Sequence, residues 1–537
     1  MTMRNLAFGA QARQALLDGV SLAARVAAPT LGPITRTVLV DRGSLAPELP
    51  GSGYDVTRAL EDADPLRDVG LRLAREAAHR TLQEAGDGSA TTLVLCEALL
   101  RAGLRRVAAG LPPRALKQGI DRAAAAAQEA LKQQAQPVAD PAVLARVATL
   151  ACGDAALGQR VAEAFERLGA DTVVSIETVE GHPPELEIRD GLWFDRGLAS
   201  SRFRTGGEAG HVTLENAHLV LHDGPIEDVR VMLRILDGFA QSGKAIAFVA
   251  ESFGEQALAA LIRNQDSASL KVAAVLAPGF GAGRAALLED IAVATGAQLI
   301  GPQLGTSLEH LRPAMLGRVE RLEADAGSTR MIGPAGDAEA IELRRRFLRH
   351  EIGQQKYLSY DREQLEQRLA RLGGGIARLR LGGGMESESR RLKAAAEQGV
   401  AATRAAMQGG VVPGGGLALF EARKAVRRLR FDDPNVAAGA SIVETTLEAP
   451  LRRMLANAGL EPAPLIAGWD AEQDTDGTRG PRGIDLETGR AREPAAGDDI
   501  VEPLGVVAAA LRNAVSTAGL LLLTEAGLAG KRSKSAS

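Results

Sequence analysis

Seven consecutive residues, Gly86-Asp87-Gly88-Ser89-Ala90-Thr91-Thr92, hold the sharpest local chemistry in the chain. Glycines leave backbone N–H groups uncovered, a helix start is electropositive, hydroxyls add donors and a carboxylate suits Mg²⁺. The apolar run Leu93–Leu104 supplies the helix. Such a segment can cradle the phosphates of a nucleotide. The same residues also fit an ordinary capped helix start, in which Ser or Thr satisfies free amides. Val411-Val-Pro-Gly414-Gly415-Gly416, ahead of the helical run Leu417–Leu429, is a second phosphate-facing candidate.

Other glycine motifs carry less. Gly238-Phe-Ala-Gln-Ser-Gly243-Lys244 fits the first seven places of a Walker A loop, but Ala245 stands where a Mg²⁺-binding hydroxyl belongs. Its helix-then-strand context is also inverted, so a glycine C-cap explains it. Gly279-Phe-Gly281-Ala-Gly283 lies between a strand and a helix, lacks the third-glycine spacing of a dinucleotide site and reads as a tight turn. The clusters Gly373–Gly375 and Gly382–Gly384 are turns or hinges between moving domains. None of the seven histidines forms a metal pair, and there is no Gly-x-Ser-x-Gly elbow. Cys96 and Cys152 are too few for a disulfide framework or a metal cluster, which suits a reducing compartment and makes the cytoplasm the expected location.

The elements that must position these residues follow from periodicity. Ala15, Leu16, Val20, Leu22 and Val26 recur at helical spacing from Gln11 to Ala28, and Thr30-Leu31-Gly32-Pro33 stops that helix. A β-like run, Thr37–Val40, comes next. Helices are expected over Leu71–Leu82, Thr92–Ala108, Pro113–Gln133 and within residues 141–168. Between about 190 and 335 strands and helices alternate, as in an α/β domain. Glu339–Leu372 is a charged helical stretch interrupted near Leu358, and the remainder to Leu523 is mostly helix. The fold class read from this pattern is mainly α with an α/β centre, the shape of one domain inserted into another.

Composition narrows the function. The 537 residues suffice for about three to four domains. A net charge of −4 without a long basic block gives no footprint for nucleic acid. The start lacks a signal-peptide core, and the best membrane-span candidate, Val506–Leu523, is broken by Arg512 and Asn513, so no membrane partner is expected. Aromatic residues are only 3%, so the core must be aliphatic and small.

Motif order then adds what no single motif carries. Thr30-Leu-Gly-Pro, Gly86-Asp-Gly, Phe194-Asp-Arg-Gly, Ala277-Pro-Gly-Phe-Gly, Tyr360-Asp-Arg-Glu-Gln-Leu, Ala402-Thr-Arg-Ala-Ala, Gly414-Gly-Gly and Glu448-Ala-Pro-Leu-Arg follow one another along the chain. This set resembles the GroEL-type (group I) chaperonins nearly from end to end, as a divergent member. The resemblance implies three nested domains: equatorial from 1–135 and 410–537, intermediate from 136–190 and 375–409, and apical from 191–374. It further implies a homo-oligomeric ring, seven-membered and stacked, that binds ATP with Mg²⁺, holds non-native or assembling clients and works with a co-chaperonin. Thr30, Leu31, Gly32 and Pro33 would line the nucleotide, Asp87 would hold Mg²⁺, and Gly88, Ser89, Ala90 and Thr91 would meet the phosphates. Gly414 and Gly415 would lie against the sugar and base, and Glu502 stands in for a ribose-binding aspartate.

Departures from the pattern fall where hydrolysis and client capture would occur. The family's Thr-Lys-Asp-Gly is here Pro50-Gly51-Ser52-Gly53, and the intermediate-domain aspartate is Gln398. Neither Ser52 nor Gln398 can accept a proton as a carboxylate does, and Asp55, three residues on from Ser52, is expected to point elsewhere. Client-facing positions are Leu198, Arg202, Phe203, Leu233, Leu236, Leu258, Ile262 and Arg263, so two guanidiniums enter an apolar strip. Arg196 with Glu386, and Arg452 with Glu461, match charges at subunit and ring contacts. The repetitive Gly-Gly-Met tail gives way to Gly530-Lys-Arg-Ser-Lys-Ser-Ala-Ser537. Within the resemblance three readings stand: a folding chaperonin; a hydrolysis-deficient assembly factor for few clients, such as a soluble di-iron monooxygenase; and a non-cycling subunit of mixed rings.

Overall fold

In the computed structural model the described residues are 4–32, 36, 38–41, 50, 52–170, 172–179, 184–205, 208–268, 270–354, 360–372, 375–382, 386–468, 483–484, 491–492 and 500–530. Helices dominate both ends of the chain and an α/β region occupies its centre, as the sequence pattern indicates. Contacts divide the chain into two units, one of residues 1–165, 176–185 and 380–537, the other of residues 166–175 and 186–379.

The first unit contains α1 (Gly9–Ala27), α2 (Gly53–Arg58), α3 (Pro65–Ala85), α4 (Ser89–Ala108), α5 (Pro113–Gln134) and α6 (Pro141–Cys152). Its later part adds α13 (Glu386–Gly409), α14 (Leu417–Arg427), α15 (Pro434–Thr446), α16 (Ala449–Asn457) and α17 (Leu504–Leu522). Small residues let these helices approach backbone to backbone. A Cβ on Gly19 of α1 would lie 1.9 Å from the Arg67 carbonyl of α3, and one on Gly119 of α5 would lie 2.0 Å from the Val436 carbonyl of α15. The core between them is aliphatic, including Leu16, Val20, Leu71, Leu95, Leu99, Ile120 and Leu511. Helix α17 is long and apolar enough to cross a membrane by length and composition. Arg512 and Asn513, expected to break the run, do not interrupt the helix, and Val507, Leu511, Ala514 and Leu521 are buried in this core. The first and last described strands, β1 (Arg4–Phe8) and β18 (Ala526–Gly530), pair antiparallel with Leu6 opposite Leu528. Of the β-like run Thr37–Val40, only Val40 forms a bridge among the described residues.

Helix α7 (Ala155–Leu168) leads toward the second unit, and β2 (Val173–Thr178), β13 (Gly375–Leu381) and β3 (Glu185–Asp190) form a three-stranded sheet in that order. The second unit is built on a larger sheet of β4 (Leu192–Phe194), β12 (Thr329–Pro334), β11 (Gly317–Ala324), β7 (Val212–Ile226), β8 (Ile246–Phe253) and β9 (Val272–Leu276), neighbours in that order, with β10 (Leu299–Ile300) beside the end of β7. The short β5 (Arg204–Thr205) and β6 (Glu208–Ala209) pair separately. Strands β7, β8 and β9 run parallel, joined by α8 (Val229–Ser242) and α9 (Glu255–Ala268), while α10 (Gly281–Thr295) leads from β9 to β10. Helices α11 (Ala338–Gln354) and α12 (Tyr360–Leu372) complete the unit. Strand β7 runs unbroken over fifteen residues. Gly243 caps α8 at φ 64°, so the Walker-like segment is the helix end expected of it. Two further strand pairs are β14 (Val411–Pro413) with β17 (Val501–Pro503) and the short β15 (Gly483–Ile484) with β16 (Ala491–Arg492).

Candidate functional site

The turn from α3 to α4 is made by two left-handed glycines, Gly86 at φ 76° and Gly88 at φ 87°, with Asp87 between them. Space requires glycine as well as conformation: a Cβ on Gly86 would sit 2.1 Å from the Ala401 Cβ of α13, and one on Gly88 would sit 2.9 Å from Val506 Cγ1. Asp87 is open to solvent. Protein atoms nevertheless crowd it on several sides, so desolvation raises its pKa while the Gly88 N–H, donated to Asp87 Oδ1 at 2.6 Å, opposes the shift. Ser89 Oγ accepts the Tyr54 N–H at 3.2 Å. Thr92 Oγ1 donates to the Gly88 carbonyl at 2.9 Å and shares a hydrogen bond with Thr81 Oγ1 at 2.8 Å. No side chain caps the α4 N-terminus. The hydroxyls serve internal bonds instead of capping the helix, an arrangement compatible with an anion at the first-turn amides. Thr91 is half-buried beside them.

The stretch after α1 is fixed against this turn. Thr30 Oγ1 donates to the Ala27 carbonyl at 2.8 Å. Asn457, at the end of α16, donates through Nδ2 to the carbonyls of Ala28 at 2.9 Å and Leu31 at 2.8 Å. Ala28 and Leu31 cluster with Ala90 and Val94 of α4 and with Met454 of α16. Gly32 adopts φ 92° with Met454 Cγ 3.0 Å from where its Cβ would be. Pro33 lies outside the described residues.

Strands β14 and β17 hold the second glycine loop, whose Glu502 senses the charge of Asp87. Glu502 lies opposite Val412, and its Oε1 accepts the Gly415 N–H at 3.1 Å. Gly414 is held by its N–H to the Ile500 carbonyl at 2.8 Å, while the α-carbon of Gly415 faces open space. Burial pushes the Glu502 carboxyl up to about 7, Asp87's charge adds to the rise, and the Gly415 N–H works against it. The two carboxyl groups therefore influence each other electrostatically, and among the described residues no group of three or more acidic, histidine or cysteine side chains gathers as a metal site.

Ser52 is buried against the start of α4: a Cβ on Gly53 would lie 3.0 Å from Ala90. Its Oγ accepts the Asp55 N–H at 3.2 Å and donates to Asp55 Oδ2 at 2.7 Å. Asp55 therefore turns back onto Ser52 instead of pointing elsewhere, because Ser-x-x-Asp forms a reciprocal cap at the start of α2. Gln398 is half-buried on α13, one turn ahead of Ala401. Sequence reasoning missed Asn457 and Tyr54. An Asn just before Gly459 signals a helix end, but nothing local names the carbonyls it binds.

Residues 23–531 match the TCP-1/cpn60 chaperonin family. The chain belongs to that family. A crystal structure of the chaperonin gp146 from the bacteriophage EL 2 (Pseudomonas aeruginosa), determined in the presence of ATP-BeFx, is similar over 98% of this chain and 99% of that one, with 20% identity and a TM-score of 0.62. The likeness establishes a chaperonin fold.

In the second unit of this chaperonin the eight positions named for client contact divide. Leu198, Phe203, Leu236 and Ile262 are buried in the core, contrary to the expectation that they face clients. Leu236 and Ile262 lie on the inward sides of α8 and α9, and Leu198 forms a bridge with Val275 of β9. Leu258 is half-buried, Leu233 is 37% exposed, and Arg202 and Arg263 are exposed. Arg263 Nε reaches the Ala259 carbonyl of its own helix at 3.4 Å. Arg196 lies over the Phe280 ring at 4.7 Å, and Arg452 binds Glu448 at 2.7 Å within the chain.

Proposed function

We propose that this chain is a nucleotide-binding subunit of a group I, GroEL-type chaperonin that holds non-native or assembling proteins and turns ATP over slowly. The observation that carries the reading is the uncapped start of α4, with Asp87 between two left-handed glycines and coupled electrostatically to Glu502. Asp87 would hold Mg²⁺, the α4 amides with Thr91 would meet phosphates, Glu502 would meet the ribose, and Gly32, Gly414 and Gly415 would flank the nucleotide. Bound Mg²⁺ would supply charge neutralisation at the phosphates. Slow turnover follows from Ser52, whose hydroxyl proton is committed to Asp55, and from the amide at Gln398. Loss of a general base typically lowers rates by about 10²–10⁴-fold.

The three-domain division and a stacked seven-membered ring belong to this proposal. The β1–β18 pair supports assembly: Leu6, Phe8 and Leu528 are exposed on a two-stranded sheet, a unit that is marginal alone in water. Exposed Arg202 and Arg263 favour a second reading, in which the client set is narrow and acidic. Calorimetry tests the first reading. Mg-ATP should bind the wild type, and Asp87→Ala should weaken binding at least about tenfold with little loss of thermal stability. Unchanged affinity would overturn the site, and turnover at the rate of a cycling chaperonin would overturn the slow-hydrolysis part.

A further inference from the structure

Behind the Gly86–Gly88 turn stands a short chain of buried hydroxyls and one amide that the nucleotide reading does not use. Asn513 of α17 donates through Nδ2 to Thr81 Oγ1 of α3 at 3.0 Å, and Thr81 Oγ1 lies 2.8 Å from Thr92 Oγ1 of α4. Thr92 Oγ1 in turn donates to the Gly88 carbonyl at 2.9 Å. Thr81, Thr92 and Asn513 are all buried. Hydrogen bonds in such surroundings meet little competition from water, and a polar group that loses its partner there is costly. Helices α3, α4 and α17 are thereby tied to one backbone oxygen of the turn.

The direction of these bonds follows from which atoms can donate. The Glu84 carboxylate, paired with Arg512, only accepts and lies 3.4 Å from Asn513 Nδ2, so the amide turns its nitrogen toward α3. The Gly88 carbonyl likewise only accepts, which commits the Thr92 proton to it and leaves Thr81 as the donor across the 2.8 Å contact. The Ala77 carbonyl competes for the Thr81 proton from the longer distance of 3.1 Å. Donation therefore runs one way, from Asn513 through Thr81 and Thr92 to Gly88. The same helices press on the α-carbon of Gly88, where a Cβ would meet Val506 Cγ1 of α17 at 2.9 Å and the Thr81 methyl at 3.3 Å. The Gly88 N–H is spent on Asp87 Oδ1, and its carbonyl takes the Thr92 N–H at 2.9 Å as well as the hydroxyl.

We propose that Asn513, Thr81 and Thr92 are positioning residues for the phosphate turn: their relay holds the Gly88 carbonyl against α4 and thereby fixes Asp87 and the first α4 amides for Mg-ATP. The proposal rests on the nucleotide reading of that turn. The three residues act through Gly88, by preorganisation, since a turn already fixed need not be ordered at the moment of binding.

The test uses the full chain in its native assembly, with Mg-ATP as the probe. In calorimetry Thr92→Val, which keeps the shape and removes the hydroxyl, should weaken Mg-ATP binding at least about fivefold, and Thr92→Ser should recover most of that loss. Asn513→Leu should weaken binding at least about threefold. Because both act through one carbonyl, the double variant should bind no more weakly than Thr92→Val alone, a non-additivity that a general loss of packing does not produce. Hydrogen exchange followed by mass spectrometry gives a readout without nucleotide. In Asn513→Leu the peptide covering residues 86–92 should exchange at least about tenfold faster, with the peptide over α15 unchanged. Should Thr92→Val fail to fold, that exchange comparison decides alone. Equal acceleration of both peptides would show a merely structural role and overturn the proposal, as would wild-type affinity in Thr92→Val or losses that add in the double variant. In those cases Asp87→Ala would still bind weakly, and the nucleotide site would stand without the relay. A wild type that binds no Mg-ATP would overturn both.

Discussion

Glu502 joins two properties of one carboxyl group, its place in the cleft and its response to pH. In the unfolded chain it ionises near its ordinary 4.5, but in the folded chain burial and the neighbouring charge of Asp87 hold it at about 7. Between those values the folded state keeps a proton that the unfolded state has released. Stability therefore falls as pH rises through that window and levels off above about 7. Glu502→Gln keeps an oxygen for the Gly415 N–H and removes the titration. Thermal denaturation at about pH 5 and pH 8 should show the wild type losing about 1–3 kcal/mol relative to the variant over that interval. Parallel pH profiles for the two proteins would show that Glu502 ionises normally and that the carboxyls do not share a cleft.

At the scale of elements, the cleft depends on segments far apart in sequence being held at one helix start. Asn457 is the clearest case, because a single buried amide at the end of α16 satisfies two carbonyls in the stretch that follows α1. Asn457→Ala leaves both acceptors without that donor. It should lower stability by about 1–3 kcal/mol and weaken Mg-ATP binding through displacement of residues 30–32, measured by denaturation and calorimetry on the same preparation. Lost stability with unchanged affinity would separate the clamp from the site. The helices around the cleft were legible in the sequence, since α1, α3, α4 and α5 follow from apolar spacing, Gly-Pro stops and glycine turns. Gly86, Gly88 and Gly414–Gly416 were legible for the same reason, as backbone conformation and close approach restrict residue type at those positions. Long-range polar pairings were not. Asn457 and the Thr81–Thr92–Asn513 bonds join residues whose proximity only the tertiary fold creates, and the cap that draws Asp55 to Ser52 runs against what the family resemblance implies. Inward or outward orientation on α8 and α9 was equally hidden, because Leu236 and Ile262 have the same composition signal whether they face the sheet or solvent.

For the molecule as a whole, the proposed narrow client set rests on that orientation. A promiscuous holder offers a continuous apolar strip, in which each fully buried aliphatic side chain contributes about 1.5–3 kcal/mol. Here Leu198, Phe203, Leu236 and Ile262 are already committed to the core, and Leu233 with half-buried Leu258 remain beside exposed Arg202 and Arg263. A purely apolar client segment would gain little from this surface, and it would desolvate guanidiniums without pairing them. A segment with carboxylates next to apolar groups would satisfy both, through an attraction that added salt weakens, the screening length being about 8 Å at 0.15 M. Capture of several unrelated denatured proteins should therefore be selective and salt-sensitive in the wild type, and Arg202→Tyr/Arg263→Val should broaden it and reduce its dependence on salt. Light scattering during dilution of the denatured proteins, at two salt concentrations, measures both effects. Equal, salt-insensitive capture by the two forms would mean that the arginines stand outside the client surface, and the selective reading would be discarded.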